Sequence, residues 1–320
     1  MSNKLTMNID FQEGVHKLID EQLINWPLAR DNYQGLSSVK TRVLEVAPAT
    51  TMRIQFNPAR IRSSAAKVDE QSIRQRKCFL CSENLPVQQR GIGFGDYTIL
   101  VNPFPIFTRH LTIPHKDHID QRIEGRLTDM LNLARALPDF VIFYNGPRCG
   151  ASAPDHFHFQ AGNKGFMPVE KELSAHPGKI KLLDRDRVKV FSIENYLRKT
   201  LVFESDDEEM LLKWFTRVFT FLGKVQHMEV EPMVNILCSR ERDLWRVFLF
   251  PRREHRPRQF YAEGAEQILL SPASVDFGGV LITPREEDFE KLNADTINDI
   301  FNQVTLDDDT WTQVQLIFKV

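Results

Sequence analysis

Residues 156–160 read His-Phe-His-Phe-Gln, inside the stretch YNGPRCGASAPDHFHFQAG, and this alternation predicts an extended strand with two unlike faces. Successive side chains of a strand point in opposite directions, so His156, His158 and Gln160 project one way and Phe157 and Phe159 the other. Burying the two rings fixes which way the imidazoles face. Upstream, Gly146 and Gly150 allow the backbone to approach something closely. Two imidazoles beside an amide suit a phosphoryl group, because one ring can attack phosphorus while its neighbours donate hydrogen bonds to developing negative charge. Satisfied histidines on a strand surface would give the same letters, but the phenylalanine pair and the glycines favour a site.

Composition narrows the partners. At 320 residues and 42% hydrophobic content the chain can bury a large core, as one domain or two. Lys plus Arg at 41 against Asp plus Glu at 43 leaves a formal net charge of -2, so no whole-chain field favours nucleic acid. The segment MSNKLTMNIDFQEGVHKLIDEQ intersperses acids among its apolar residues, which predicts neither a signal peptide nor a membrane span and suggests a cytoplasmic protein. Four cysteines, Cys78, Cys81, Cys149 and Cys238, are too few for a disulfide scaffold at this length.

Along the chain, residues 11–25 carry helical apolar spacing at Val15, Leu18, Ile19 and Leu23, and Trp26 with Pro27 closes the segment. The polar stretch 63–77 predicts a loop. Strand patterns follow at YTILV, HLTIP, FVIFY and HFHFQ, with a helix from about Ile123 to Leu137. Ser205 and Glu208 form a capping-box pattern ahead of an amphipathic run through Leu211, Leu212, Phe215, Val218, Phe219 and Leu222. MVNILC, WRVFLF and GGVLITP then echo the first-half strands, with LITP answering LTIP, as a two-halved fold would leave behind. The echo has no paired histidines, so the chemistry is expected in the first half alone.

Cys78 and Cys81 have the C-x2-C spacing that lets two thiolates share one metal ion. A structural site needs two further ligands, and the chain offers His115 or His118 together with His156. Arg252, Arg253, Arg256 and Arg258 with His255 make a basic run that reads as a solvated face and is left out of the core site, although a sugar-phosphate or polyphosphate leaving group could use it. Cys149, between Arg148 and Gly150, has no evident thiol-activating neighbour and reads as a loop residue.

The His-x-His-x-Gln motif after Asn-Gly and Gly-x-Ser resembles the transferase branch of the histidine triad superfamily, which includes galactose-1-phosphate uridylyltransferases, diadenosine tetraphosphate phosphorylases and GDP-L-galactose phosphorylases. Gly-Ala, the His-x-His-Phe-Gln-Ala run and then Pro168, Glu170 and Lys171 are similar to the last of these. CFLCSENLP, NPFPIFTRHLTIP and FGGVLITPREEDF resemble further segments in family order. The resemblance implies an α+β fold of two related halves, each an antiparallel sheet with flanking helices: a helical extension over 1–55, a catalytic half over 56–180 and a second half over 181–320. It implies zinc held by Cys78, Cys81, His118 and His156. His118 is preferred because Ile119 follows it, while an extra residue after the proline keeps His115 in competition.

The same resemblance implies that His158 attacks the α-phosphorus of a nucleotide sugar or dinucleoside polyphosphate and passes the nucleoside monophosphate to phosphate or a sugar phosphate. Gln160 would hold a non-bridging oxygen. Ser152 and the amides near Gly150 would donate to the leaving or incoming phosphate, and Asn145 would bind ribose or orient His158. Arg60, in QFNPARIRSSAAK, would contact phosphate, and His110 falls where relatives place a histidine. Hydrolytic relatives carry a third histidine where Gln160 stands, which points to transfer; hydrolysis and a non-catalytic nucleotide-binding role are the alternatives. A homodimer is compatible with the family, although no heptad marks an interface.

Overall fold

The computed structural model describes residues 2–61 and 70–319. Its strands are β1 (Lys40–Ala47), β2 (Thr50–Phe56), β3 (Gly91–Phe94), β4 (Tyr97–Val101), β5 (His110–Pro114), β6 (Phe140–Asn145), β7 (His158–Asn163), β8 (Lys179–Arg185), β9 (Val188–Ile193), β10 (Leu201–Ser205), β11 (Val234–Glu241), β12 (Leu244–Pro251) and β13 (Val280–Thr283). Ten of them form one antiparallel sheet in the order β3-β4-β5-β7-β6-β11-β12-β10-β9-β8.

That order is a repeat. Read inward from the edges, the first half runs β3, β4, β5, β7, β6 and the second β8, β9, β10, β12, β11. Each half exchanges its last two strands, and each inserts a helix between its third and fourth: Leu127–Ala136 in the first, Glu208–Val225 in the second. The halves meet where β6 pairs with β11, Asn145 opposite Asn235 and Ile142 opposite Cys238. The strand sequences are nearly unbroken apolar runs because both sheet faces are covered. On one face Phe157, Phe159 and Tyr144 pack with Tyr97 and the two crossover helices. On the other lie β1, β2 and β13, the helices Val169–Ala175 and Ala294–Val304, and Phe107, Phe143 and Phe250.

Several expectations are revised. Residues 40–55 fall in the stretch read as a helical extension, yet β1 and β2 form a hairpin there, ending at Phe56, after helices Ser2–Asn25 and Pro27–Gly35. Alternating β-branched and apolar residues in KTRVLEVA and TTMRIQF outweigh the helical lead-in. LITP does not answer LTIP: β13 pairs in parallel with β2, and the true counterpart of HLTIP is β10, LVFES. Short apolar runs do not declare their partners. The helix Glu208–Val225 is capped by Asp207, whose side chain accepts from the Met210 amide at 3.1 Å, not by Ser205. Ser205 Oγ accepts from the Asp207 amide and donates to Arg187 O, ending β10. Of the stretch predicted as loop, 63–69 lie outside the described residues and Glu70–Gln75 is a short helix. No helix among the described residues is long and apolar enough to cross a membrane.

Candidate active site and metal-binding cluster

A cavity of about 470 Å³ opens on the face carrying Phe143 and Gln160, and both halves line it. From the first come Arg60, Asn145, Gly150, Ser152, His158 and Gln160; from the second come His255, Arg256, Ser271, Ala273, Val275 and Asp276. Trp26, Phe79, Leu80, Leu100 and Phe104 give one side an apolar lining. Concave, largely apolar walls with a few convergent polar groups are the ordinary form of a small-molecule site.

His158 begins β7 and is only 3% exposed, yet it lines this cavity. Its Nδ1 lies 2.9 Å from the carbonyl oxygen of His156, so Nδ1 carries the proton and donates. Nε2 is therefore the bare nitrogen, and it has no protein partner among the described residues. Burial holds the ring's pKa down at about 4, against the bond to the His156 carbonyl, which raises it, so the imidazole is neutral at physiological pH. The strand start is bolted in place by Gln121, fully buried. Its Oε1 accepts from the His158 amide at 2.7 Å, and its Nε2 donates to the carbonyls of Asn145 and His158, each at 3.0 Å.

Gln160 follows on the same face. Its Oε1 lies 3.1 Å from His110 Nε2, and His110 Nδ1 accepts from the Ile106 amide at 3.2 Å. That second bond places the His110 proton on Nε2, so Gln160 accepts there and its amide NH2 is the end left to face the cavity. Burial, reinforced by the Arg60 charge, lowers the His110 pKa to about 3 and keeps it neutral. His110 itself is fully buried and does not line the cavity, so it sits behind Gln160 instead of at the substrate as expected.

The loop after β6 carries the remaining polar groups. Gly150 has φ +93°, and a Cβ there would lie 2.6 Å from Ala273 Cβ, so the position admits glycine alone. Asn145 Oδ1 accepts from Ser274 N at 2.8 Å, Ser274 Oγ at 2.7 Å and Asn235 Nδ2 at 2.9 Å. Its carbonyl end thus stitches the halves together. Arg60 donates from Nη1 to Phe104 O at 2.7 Å, and burial lowers its pKa only to about 10, leaving it charged. Cys149 is buried, which drives its thiol up to about 12 and agrees with its reading as a loop residue.

The basic run of the second half is not a uniform solvated face. Arg252 is fully buried and donates to Asn235 Oδ1 at 2.6 Å and to the carbonyls of Pro272, Glu254, His255 and Val304. His255 and Arg256 line the cavity, while Arg253 and Arg258 bond to the helix Ala294–Val304 at the surface. Gln121, Asn235, Ser274 and Asp276 were not marked by any sequence motif. The arginine run did carry a signal, but charge spacing alone cannot separate a buried arginine from an exposed one.

His156 leaves the face of His158. It sits in the bend before β7 and turns away from the cavity, toward the cysteines. Its Nδ1 lies 3.3 Å from Cys78 Sγ and 3.5 Å from Cys81 Sγ, while its Nε2 donates to His115 O at 2.8 Å. Cys81 Sγ is 3.2 Å from His118 Nδ1. One ligand atom from each of Cys78, Cys81, His118 and His156 falls within 4.8 Å of the others, a group that could hold a metal ion. His115 is not part of it: its Nδ1 is turned to the Asp117 backbone. Asp155 supports the outer side, 3.7 Å from His118 Nε2 and paired with Arg76.

Comparison with known proteins agrees with this geometry. Residues 170–319 match the family model described as GDPGP1-like, C-terminal domain, and residues 18–163 match a domain of unknown function, DUF4922. No curated protein matches the chain in sequence. Among solved structures, yeast Ap4A phosphorylase Apa2 in complex with Ap4A superposes with a TM-score of 0.60 at 18% identity, over 92% of this chain and 97% of that one. The same enzyme without that ligand gives 0.56 at 18% identity, over 87% and 93%. A doubled antiparallel sheet with one His-x-His-x-Gln strand is the histidine triad architecture. The chain shares that fold with the phosphorylase, and its second half is similar to the GDPGP1-like C-terminal domain.

Proposed function

We propose that the protein is a nucleotidyltransferase of the phosphorylase type, which moves a nucleoside monophosphate from a nucleotide sugar or dinucleoside polyphosphate onto phosphate or a sugar phosphate. The observation that carries this reading is His158: a neutral imidazole whose Nδ1 is tied to its own backbone, leaving Nε2 bare at a cavity that also holds Gln160, Ser152 and Arg60.

In the first step the Nε2 lone pair forms a bond to the α-phosphorus, and the bond from that phosphorus to the bridging oxygen breaks. The oxygen departs with the electron pair as part of the phosphorylated fragment. In the second step an oxygen of the acceptor phosphate attacks the same phosphorus, and the nitrogen–phosphorus bond returns its pair to His158. Arg60 and the NH2 of Gln160 stabilise charge on the non-bridging oxygens, and Ser152 with the backbone near Gly150 serves the departing and arriving phosphate. Asn145 supports the loop more than the ribose, because its carbonyl end is taken by Ser274 and Asn235. The catalytic half spans 56–180 in this reading, and 181–320 is the half without the histidine pair.

Zinc fits the Cys78, Cys81, His118 and His156 group. Zn–S bonds of about 2.3 Å and Zn–N bonds of about 2.0 Å put a tetrahedral sulfur–nitrogen pair about 3.5 Å apart, within a few tenths of an ångström of the 3.2, 3.3 and 3.5 Å contacts here. A zinc ion there would supply a structural clamp between the cysteine turn and the approach to β7. No ligand residue lines the cavity.

The test is rapid-quench labelling with α-phosphorus-labelled nucleotide sugars and dinucleoside polyphosphates. An acid-labile, base-stable protein label is expected in the wild type and none in His158→Ala. Turnover that proceeds at full rate without phosphate or sugar phosphate would instead indicate hydrolysis. Unlabelled wild-type protein would indicate a nucleotide-binding protein without chemistry.

A further inference from the structure

The half without the histidine pair still contributes a wall of the cavity, and the residues it places there have one chemical character. Arg252 shapes them: its guanidinium, buried and bonded to five oxygens, draws the carbonyls of Glu254 and His255 back on it. That curl presents His255 and Arg256 to the cavity. Arg256 is held in turn: Nε donates to Ser271 Oγ at 3.1 Å, Cζ stands 4.0 Å over the Phe260 ring, and the side chain also interacts with the Tyr261 hydroxyl. Ser271 lines the same cavity. The curl is fixed relative to the reactive loop, because Asn235 accepts from Arg252 and donates to Asn145 Oδ1 at 2.9 Å and to Cys149 O at 2.7 Å.

Charge is the second observation. Arg60 enters from the first half and Arg256 from the second, while among the described residues the one carboxyl on the walls is Asp276. Its Oδ2 accepts from the Ala273 amide, and burial pushes its pKa up to about 7. A cavity with two fixed guanidinium groups and one reluctant carboxylate selects a ligand with more than one anionic phosphate. Arg60 accompanies the motif half that addresses the α-phosphate, which leaves the Arg256 wall facing whatever lies beyond the scissile bond.

We propose that Arg256, with His255 and Ser271, forms the anion subsite for the second phosphate of the reaction: the phosphate on the departing fragment in the first step and the acceptor phosphate in the next. The inference rests on the transfer reading above and adds an assignment to the second half. Planar guanidinium forks suit a phosphate that must arrive, react and leave, since they bind two oxygens without a covalent step.

The experiment separates the two. Full-length wild type, Arg256→Gln, Arg256→Lys and Arg253→Gln are first loaded with labelled nucleotide, and release of the label is then followed against inorganic phosphate concentration. Arg256→Gln is expected to acquire label at saturating donor but to need about 10- to 100-fold more phosphate for half-maximal release. Arg256→Lys should fall between, and Arg253→Gln, whose side chain bonds to Asn302 and Gln303 carbonyls away from the cavity, should match the wild type. Equal phosphate dependence in Arg256→Gln and wild type, or an equal loss in Arg253→Gln, overturns the subsite. In parallel, inorganic phosphate is titrated into each protein by calorimetry, with at least tenfold weaker binding expected for Arg256→Gln alone. If the wild type takes no label the transfer reading fails, and the titration still decides the subsite.

Discussion

At the scale of single residues, the site is a set of hydrogen bonds that remove choices. His158 has one tautomer because His156 O accepts from it, and Gln160 has one orientation because His110 donates to it. Removing the Gln160 amide should lower kcat about 10²- to 10³-fold, the scale of losing one charge-stabilising donor, with KM for the nucleotide moved less. His110→Phe tests the orientation separately: the ring volume remains but the donor is lost, so the amide can turn over. Steady-state kinetics should show kcat down about tenfold or more. Glu231 offers a test that does not involve catalysis. It is buried, accepts from the Ile123 amide, lies 2.6 Å from the Tyr144 hydroxyl, and burial raises its pKa from 4.5 to about 7. Below pH 4.5 the folded and unfolded chains both hold the proton, and no stability is lost. As pH rises from 4.5 to 7 the unfolded chain ionises first, so this group destabilises the fold by up to about 3 kcal/mol. Glu231→Gln should therefore flatten the decline of the thermal midpoint between pH 5 and 8.

At the scale of elements, legibility in the sequence followed how local the cause was. β4, β5, β6 and the helix through Leu211 and Phe219 were marked by their own periodicity. The partner of β13 was not, because parallel pairing with β2 across more than two hundred residues leaves no local trace. The alternation of HFHFQ predicted the inward rings and the outward His158 and Gln160, yet the strand begins at His158. Freed from the pleat, His156 reaches the cysteines, as the C-x2-C spacing and the resemblance together implied. Removing this cluster tests the element it ties down. Cys81→Ser, or prolonged chelation, should lower the bound metal from about one ion per chain and reduce the thermal midpoint by several degrees, read by elemental analysis and scanning calorimetry. Gly150→Ala is a second element-level test. With φ at +93° and Ala273 Cβ 2.6 Å away, the loop must shift, at a cost of about 1–3 kcal/mol, and activity should fall with it.

At the scale of the whole molecule, two halves of equal strand order share one sheet, and only one carries the histidine pair. The sequence hinted at the doubling but misplaced its register, since what repeats is connectivity and not lettering. The seam at β6 and β11 joins the halves through strand pairing and through Asn145 with Asn235, so they should not melt separately. Calorimetry on the intact chain should show one transition with equal calorimetric and van't Hoff enthalpies. Residues 1–180 expressed alone should aggregate, because β6 becomes a bare, apolar sheet edge.

The far wall has a consequence for synthesis. Leu270, Ala273, Val275 and Ile282 complete the cavity, more than a hundred residues after the strand bearing His158. A nascent polypeptide that has already exposed its motif strand from the ribosome thus lacks the enclosure that would desolvate a nucleotide, and the imidazole has nothing to react with. Under the proposed transfer reaction, chemistry waits on translation through Ile282, so products that stop before it are silent instead of leaky.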